Sequence, residues 1–304
     1  MKQIFNSWWK IAIIAIVVGI ALIALGFALS ARGVYVYFDG GRVRFASNAE
    51  QIFIEEYDLE SFDEISVMAN SANIELIEST SFGLELRLPA HADKPEWSIA
   101  DGKLSVDARV FDGNFIFMSF DSRSYYIKVY VPKGHVLEHV ELNTSSGDIL
   151  LSNVSAENIA IQARSGTIEA DTTGCTNVHV KSESGDVKLF GDTLPTADIF
   201  ASATSGDVNV DVATWQKLTV QSNSGDVEIT GEPNGVTSVD SMSGQVTLTL
   251  NGNQRDFSYD ISTRSGTVQV GGQSYNDSAR SIDRDAKNTI EVRASSGDVR
   301  VDFR

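Results

Sequence analysis

The chain has 304 residues with 24 glycines, 5 prolines and one cysteine, Cys175, and its formal charge at pH 7 is -17. A single cysteine excludes an intramolecular disulfide framework, a cysteine zinc cluster and a Cys-x-x-Cys redox pair. A surface this acidic repels phosphate backbones, so we expect no nucleic-acid partner.

The first predicted element is a membrane helix. Residues 11–31 form an uncharged run of 21 residues, which as a helix spans ~30 Å, about the hydrocarbon thickness of a bilayer. Trp8 and Trp9 precede it, where aromatic rings favour the membrane interface. We expect residues 1–10 to be a short cytoplasmic tail and the large C-terminal part to lie outside the cell, as in a single-pass protein.

The alternative interpretation of this segment is a cleaved signal peptide. Ala28-Leu29-Ser30 offers small residues at a plausible cleavage site. The apolar run is longer than the ~7–15 residues of a usual signal core, which favours the anchor. Whether the segment is cleaved stays open.

Residues 33–140 are predicted to form irregular β rungs and a cap. The strand-like segments 34–38 and 42–45 flank Asp39-Gly40-Gly41 and predict a hairpin. The aromatic stretch 111–120 is either an exposed partner patch or, as we favour, a cap that packs on the first rungs.

Two further segments of this region are degenerate copies of the unit that follows. Segment 71–76 has Ala72 where later units have glycine, and segment 101–106 is a second copy. A strand from Tyr126 to Val131 comes next. We expect these leading rungs to cover the exposed edge of the repeat, which would otherwise invite aggregation.

From residue 146 the chain repeats a short unit. The pair Ser-Gly occurs eight times, and successive glycines are 19, 19, 21, 19, 19, 22 and 31 positions apart. The repeat glycines are Gly147, Gly166, Gly185, Gly206, Gly225, Gly244, Gly266 and Gly297. We expect each at a sharp corner, because glycine takes positive φ without a Cβ clash.

Strands with period-2 alternation flank these glycines. Val178, Val180 and Ser182 precede Gly185, and their decreasing size suits two walls that converge at a corner. A unit of ~19 residues cannot bury its own apolar face, so units must stack with parallel strands ~4.8 Å apart. Residues 141–304 therefore predict regular repeats of an all-β, parallel β-solenoid, right-handed like nearly all parallel crossovers. The fixed repeat disfavours the alternative, an antiparallel sandwich.

Aspartate follows five of the eight glycines. These residues are Asp148, Asp186, Asp207, Asp226 and Asp298, while Thr167, Gln245 and Thr267 follow the others. Stacked carboxylates repel, so each is expected either to accept a backbone N–H at its own turn or to share a calcium ion. One carboxylate per rung falls short of the ~6–8 oxygens that calcium needs. We therefore predict turn-capping aspartates, no metal site and no cofactor.

The longest spacing contains segment 271–289, which has almost no apolar residues and predicts a polar loop extruded from the solenoid. Arg280, Arg284 and Lys287 give this loop a basic spot, although a solvated loop is the favoured interpretation.

Neither the histidines nor the aspartates predict a catalytic or metal-binding site. His135 and His139 are expected on one strand face ~13 Å apart, too far to share a metal. Cys175 is expected in a loop as a free thiol. The repeated aspartates alternate with Thr and Gln, whereas a catalytic pair would break the repeat, so no catalytic residue is predicted.

In its order of elements the chain resembles a bacterial putative adhesin family, a domain of unknown function. The resemblance rests on the N-terminal apolar segment, on Phe62-x-x-Ile65-x-Val67, on the degenerate rung at 71–76 and on the Ser-Gly-Asp rungs. It covers residues 50–304. It implies a membrane-anchored β-solenoid of the bacterial surface and supplies no catalytic residues.

Three functions stay open at this point. The favoured one is a non-enzymatic, adhesin-like surface module that binds or scaffolds an envelope protein or polysaccharide. The second is a regulatory ectodomain of an envelope-stress system that acts through a membrane partner. The third, disfavoured, is a carbohydrate-active β-helix enzyme, since some long parallel β-helices cleave polysaccharides.

Overall fold

The computed structural model describes residues 34–39, 42–47, 51–89, 94–109, 125–281 and 286–304. The predicted membrane helix at 11–31 and the aromatic stretch at 111–120 lie outside the described residues. Within the described ranges, no helix combines the length and hydropathy that a membrane crossing requires.

Most residues of the described part of the chain lie in β-strands, and one 3-10 turn occurs at Gln254–Asp256. The strands are β1 Val34–Asp39, β2 Arg42–Ser47, β3 Gln51–Tyr57, β4 Glu64–Ala69, β5 Asn73–Ser79, β6 Gly83–Pro89, β7 Glu96–Ala100, β8 Lys103–Ala108, β9 Tyr126–Pro132, β10 Val136–Thr144, β11 Ile149–Ser152, β12 Ser155–Ser165 and β13 Ile168–Asp171. They continue with β14 Asn177–Ser184, β15 Val187–Gly191, β16 Asp198–Ser205, β17 Val208–Ser224, β18 Val227–Ser243, β19 Val246–Leu250, β20 Phe257–Thr263, β21 Val268–Val270, β22 Gln273–Tyr275, β23 Ser278–Ser281, β24 Asn288–Ser296 and β25 Val299–Phe303.

The chain divides into two compact units. The first contains β1 and β2, which pair antiparallel from Val34 opposite Ser47 to Asp39 opposite Arg42. This is the hairpin that the sequence predicts. The second unit contains the strands from β4 onward, together with most of β3, and it holds the repeat.

The second compact unit, which holds the repeat, consists of two walls of mainly parallel strands. Strands that precede a corner form the first wall, in the order β7-β8-β4-β10-β12-β14-β16-β17-β18-β24-β20-β23. Strands that follow a corner form the second wall, in the order β3-β6-β9-β5-β11-β13-β15-β17-β18-β19-β25-β21-β22. The long strands β17 and β18 belong to both walls, because each runs from one corner into the next. This architecture agrees with the predicted solenoid; its right hand stays a prediction.

Alternate side chains of both walls point inward and form a single apolar core. Along β14, for example, Val178 and Val180 are buried while His179 and Lys181 are exposed. Among the described residues, Trp215 is the largest fully buried side chain. Its indole Nε1 donates a hydrogen bond to Thr237 Oγ1 at 3.0 Å, which satisfies both buried polar groups.

The rungs do not stack in chain order at either end. At one end the later strands β8 and β9 lie outside β4 and β5, and β10 returns to the inner side of β4. At the other end β24 and β25, the last strands of the chain, lie between the rung of β18 and β19 and the rung of β20 and β21. The final rung in sequence is therefore an internal rung in space.

Antiparallel strands cover both ends of the stack. β7 pairs with β8 and β6 with β9 at one end, and β23 pairs with β20 and β22 with β21 at the other. Segment 271–289 thus contributes two strands, which corrects the expectation of an extruded loop. Gly271 and Gly272, at φ 55° and 79°, form the two-residue turn that returns the chain as β22.

A second correction concerns segment 101–106. Asp101 and Gly102 have φ of 51° and 74° and join β7 to β8 as a two-residue hairpin. They are not a solenoid corner, so this segment is no degenerate copy of the repeat. Segment 71–76, in contrast, does form a corner rung of the stack, as the sequence predicts.

Candidate functional site

The repeat glycines lie between the two walls and form one column along the stack. Seven of the eight have φ between 124° and 152°, a region that residues with a Cβ rarely adopt; Gly147 is the exception. A Cβ built on Gly225 would overlap the carbonyl oxygen of Gly206, and one on Gly244 would overlap that of Gly225. The corner therefore excludes side chains for two reasons, backbone conformation and close approach of the next rung.

The same contacts trace the order of the column. The position of a Cβ on Gly147 is occupied by the carbonyl oxygen of Ala72, that on Gly297 by Gly244 and that on Gly266 by Gly297. Ala72 is therefore the first corner of the column. Ala72 occupies the position that glycine has in later rungs. The next rung on the outer side of the stack is the irregular one formed by β8 and β9.

The aspartates beside the column bond between rungs. Oδ1 of Asp207 accepts the backbone N–H of Asp226 at 2.8 Å, and Asp226 in turn accepts the N–H of Gln245 at 2.8 Å. Asp148 and Asp186 bond to the following rungs in the same way. The prediction of capping was right in kind, but the capped N–H belongs to the neighbouring rung and not to the aspartate's own turn.

Asn73 begins this ladder, a role that the sequence analysis missed. Its Oδ1 accepts the N–H of Asp148 at 3.0 Å, so an amide oxygen serves where later rungs use a carboxylate. The signal was available, because Asn73 occupies the aspartate position of the degenerate rung.

Asp298 makes the fullest contact of the ladder. Its Oδ1 accepts both the backbone N–H of Thr267 at 2.8 Å and the Thr267 hydroxyl at 2.9 Å. These bonds, the backbone bond first, lower the pKa of the Asp298 carboxyl below its usual range. Because the rung of Thr267 is the last of the column, Thr267 has no further corner to cap.

The geometry of the column is structural. Each aspartate of the ladder is engaged with a neighbouring backbone N–H. Across the residues that the structure describes, no three His, Cys, Asp or Glu side chains come together as a set of metal ligands.

The two predicted histidines have separate surroundings. His135 lies just before β10 and not on it, which corrects the expectation of a shared strand face. Its Nε2 is 3.1 Å from the carbonyl oxygen of Phe62 and 3.0 Å from Asp63 Oδ1. His139 lies on β10, in register with Glu64 and Asn158.

Cys175 lies in a loop between β13 and β14, as predicted, but its side chain is fully buried. Burial raises the pKa of its thiol to about 12. A thiol with so little thiolate is a poor nucleophile and a poor metal ligand.

The predicted basic spot of Arg280, Arg284 and Lys287 lies partly within the described residues. Arg280 lies on β23 and its Nε is 3.6 Å from Asp260 Oδ2 on the neighbouring strand β20. Arg284 lies outside the described residues. Arg280 is thus a cross-strand ion-pair partner that helps to hold the cap strand to the stack.

A tyrosine cluster on the outer face of the second wall was missed. The hydroxyls of Tyr126 and Tyr130 donate to the two oxygens of Glu85, at 2.5 and 2.8 Å, across the pairing of β9 with the cap strand β6. Burial and the Glu85 carboxylate raise the pKa of Tyr130, and the hydrogen bond to Glu55 raises that of Tyr57 to about 12. These phenols stay protonated at neutral pH, so the cluster fastens the cap and supplies no nucleophile.

An aromatic ridge on the outer face of the first wall was also missed. His179 and Phe200 lie in register on adjacent strands and stack with centroids 4.6 Å apart and planes 12° apart. Lys181 Nζ lies 5.5 Å from the centroid of Phe200. Phe200 faces outward on a strand whose other outward residues are polar, so it does not pack in the core. Such an outward aromatic residue is the signal from which the ridge could have been predicted.

The ridge lies in a shallow depression of about 410 Å³. Ala160 and Thr219 are the next residues in register on either side. Their side chains are small and do not cover the rings of His179 and Phe200. One step along the strands runs a polar row, Asn158, Asn177, Asp198 and Lys217. Within it, Asn177 Nδ2 donates to Asn158 Oδ1 at 2.8 Å.

Comparison with solved structures finds similar chains of low identity. A putative adhesin from Bacteroides fragilis is 13% identical with a TM-score of 0.47, and one from Parabacteroides distasonis is 8% identical with a TM-score of 0.43. A putative lipid binding protein from Parabacteroides distasonis is 14% identical with a TM-score of 0.45. Each match covers 83% of this chain and 97% of the other.

No curated protein matches the chain. The Toastrack DUF4097 family matches residues 62–302, which span both walls of the stack from Phe62 near its first rung to the last strand. The chain therefore belongs to the Toastrack DUF4097 family, a family of domains of unknown function.

Proposed function

We propose that this protein is a non-enzymatic, membrane-anchored surface module of the bacterial envelope that binds or scaffolds an envelope protein or polysaccharide. The observation that carries the proposal is the corner column. Its carboxylates, the most regular chemical feature of the chain, are engaged in holding one rung to the next. These bonds make the stack a continuous frame. The surfaces that bind a partner are therefore the outer faces of the walls.

The covered ends of the stack support this proposal. Open strand edges would pair with further copies of the chain. Here the edge strands β7 at one end and β22 and β23 at the other are short and antiparallel to the rungs, so they do not continue the parallel register of the stack. A stack that does not extend through its ends, but keeps two long outer faces, suits a binding or scaffolding module.

The test of this proposal is exposure on the cell. We expect protease added to intact cells to remove the repeat unit, and cross-linking on such cells to capture an envelope component. Full protection of residues 33–304, with digestion only after lysis, would contradict the surface location. Turnover of a wall polysaccharide by the purified full-length protein would contradict the non-enzymatic part of the proposal.

A second candidate function is a regulatory ectodomain that acts through a membrane partner. It is favoured by Gly19 and Gly26, seven residues apart in the predicted membrane helix, which would lie on one face as a packing stripe. Exchange of residues 11–31 for an unrelated membrane helix separates the two candidates. Surface binding survives the exchange, whereas regulation through the helix is lost.

A further inference from the structure

The aromatic ridge on the first wall has a shape and chemistry of its own. Ile199 and Ala201 point into the core, and between them Phe200 points outward. His179 lies against it, while Ala160 and Thr219 on the flanking strands are small. The result is a narrow apolar surface within the depression, on a wall whose other outward side chains are mostly polar or small.

Polar side chains border the ridge on both sides. Asn158, Asn177, Asp198 and Lys217 form the row on one side. Gln162, Lys181, Ser202 and Gln221 form the row on the other. Amide groups both donate and accept, carboxylates accept and ammonium groups donate, so the two rows offer every kind of hydrogen bond.

Few charges lie at this place. Asp198 and Lys217 line the depression and cancel, and Lys181 in the second polar row leaves one net positive charge, although the whole chain carries -17. Burial and the nearby Lys181 lower the pKa of His179 from its ordinary value of 6.5, so its imidazole is neutral at pH 7. A site with so little charge, on a chain whose net charge of -17 repels polyanions, favours a neutral ligand over a polyanion.

We propose that this depression binds a neutral polysaccharide chain, with a sugar ring on the His179–Phe200 ridge and its hydroxyls bonded by the polar rows. A pyranose ring has an apolar face of C–H groups and a rim of hydroxyls that donate and accept, which matches an aromatic platform between polar rows. The rows repeat every ~4.8 Å along the stack, so a linear polymer can lie along several rungs. This inference rests on the proposed surface function and names its ligand class.

The test uses the full-length protein in detergent micelles and affinity gel electrophoresis with neutral polysaccharides (dextran, mannan, amylose, hydroxyethyl cellulose) and with anionic alginate. We expect retardation by at least one neutral polymer and none by alginate. Phe200→Ala should weaken that retardation at least tenfold. Phe190→Ala, which removes an outward phenylalanine from the second wall, should leave it unchanged.

Unchanged thermal midpoints for both variants show that the fold is intact; if Phe200→Ala lowers the midpoint, Phe200→Leu takes its place. Retardation by alginate alone, by no polymer, or equally for both alanine variants would overturn the inference. A protein that resides on the surface and cross-links to an envelope component but fails this test would keep the proposed function and lose only the glycan site. Protection from protease on intact cells would instead defeat the proposed function itself.

Discussion

Asp207 and Asp226 lie in consecutive rungs, and the carboxylate of the first accepts the backbone N–H of the second at 2.8 Å. Two like charges one strand spacing apart repel in water by about 0.9 kcal/mol. The bond offsets this because each carboxylate faces an N–H dipole of the following residue in the column. The acidic side chains therefore join the rungs that their charges alone would separate.

The first prediction concerns this bond. Asp207→Ala should lower the free energy of unfolding by about 1 kcal/mol, since it removes one charge-assisted hydrogen bond at an exposed site. Asp207→Asn should cost less, because Asn73 already makes the same bond with an amide oxygen. Chemical denaturation measures both, with Asp211→Ala, an exposed carboxylate on the second wall, as the control. Equal losses for Asn and Ala at position 207 would contradict the ladder.

The second prediction extends the ladder where it is interrupted. Thr167 follows Gly166, and Asp186 is the next residue of the column. Thr167→Asn should place an acceptor near the Asp186 N–H and stabilise the fold by about 0.5 kcal/mol. Thr267→Asn is the control that should not stabilise the fold, because the rung of Thr267 is the last and offers no further N–H, and because the change removes the bond from the Thr267 hydroxyl to Asp298. A thermal midpoint that rises for both variants, or for neither, would count against the prediction.

The third prediction separates the two constraints at a corner. Gly225→Ala combines an unfavourable φ of 131° with overlap on the Gly206 carbonyl and should cost at least ~3 kcal/mol. Gly134→Ala has only the unfavourable φ, 78°, with open space around the new methyl group, and should cost ~1 kcal/mol. Gln221→Val, at an exposed outward position, should change little. Similar denaturation midpoints for the two glycine variants would show that the rungs are not in close contact at the corner.

The fourth prediction concerns alkaline pH. The pKa values of Tyr126 and Tyr130 are raised in the folded state, so their contribution to stability is full below the unfolded value of ~10 and is lost as pH rises through the folded values. Glu85→Gln should move both ionisations to lower pH and reduce this alkaline loss. Tyrosinate absorbance during a pH titration measures the shift.

Glu55→Gln is the control for that titration. The pKa of Tyr57, about 12, is set first by its bond to Glu55, so this variant should shift Tyr57 and leave Tyr126 and Tyr130 largely in place. Identical titration curves for the two glutamine variants would mean that Glu85 does not hold the tyrosine pair.

The corners and walls could be predicted from the sequence because their causes are local. Alternation places Val178 and Val180 inward, and a glycine in the same slot of each unit specifies a corner wherever the stack runs. The order of the rungs could not be predicted in this way. The units of Gly266 and Gly297 show the same alternation of inward and outward residues, so from the sequence either unit could stack on the unit of Gly244. Only the two-residue turn at Gly271-Gly272, passed over as loop, indicates that the chain turns back.

The outer-face features were harder to foresee for a different reason. The stack of His179 on Phe200 joins residues 21 apart in sequence, and the bonds of Glu85 to Tyr126 and Tyr130 span 41 and 45 positions. Each depends on register between strands. The register between strands is known only once the whole stack is known. The alternation of inward and outward residues along one strand shows only that these side chains face solvent.

The internal position of β24 and β25 sets a limit on how such a chain can be made and how it can evolve. A growing polypeptide cannot complete this stack rung by rung as it leaves the ribosome, because β24 and β25 are synthesised after β20 and β21 and must enter between two earlier rungs. Duplication of the unit of β24 and β25 would likewise add a strand pair with no edge to join. Lengthening is accommodated in the middle of the stack, where the units of Gly147 to Gly244 follow one another in both sequence and space and successive glycines are 19 to 21 positions apart.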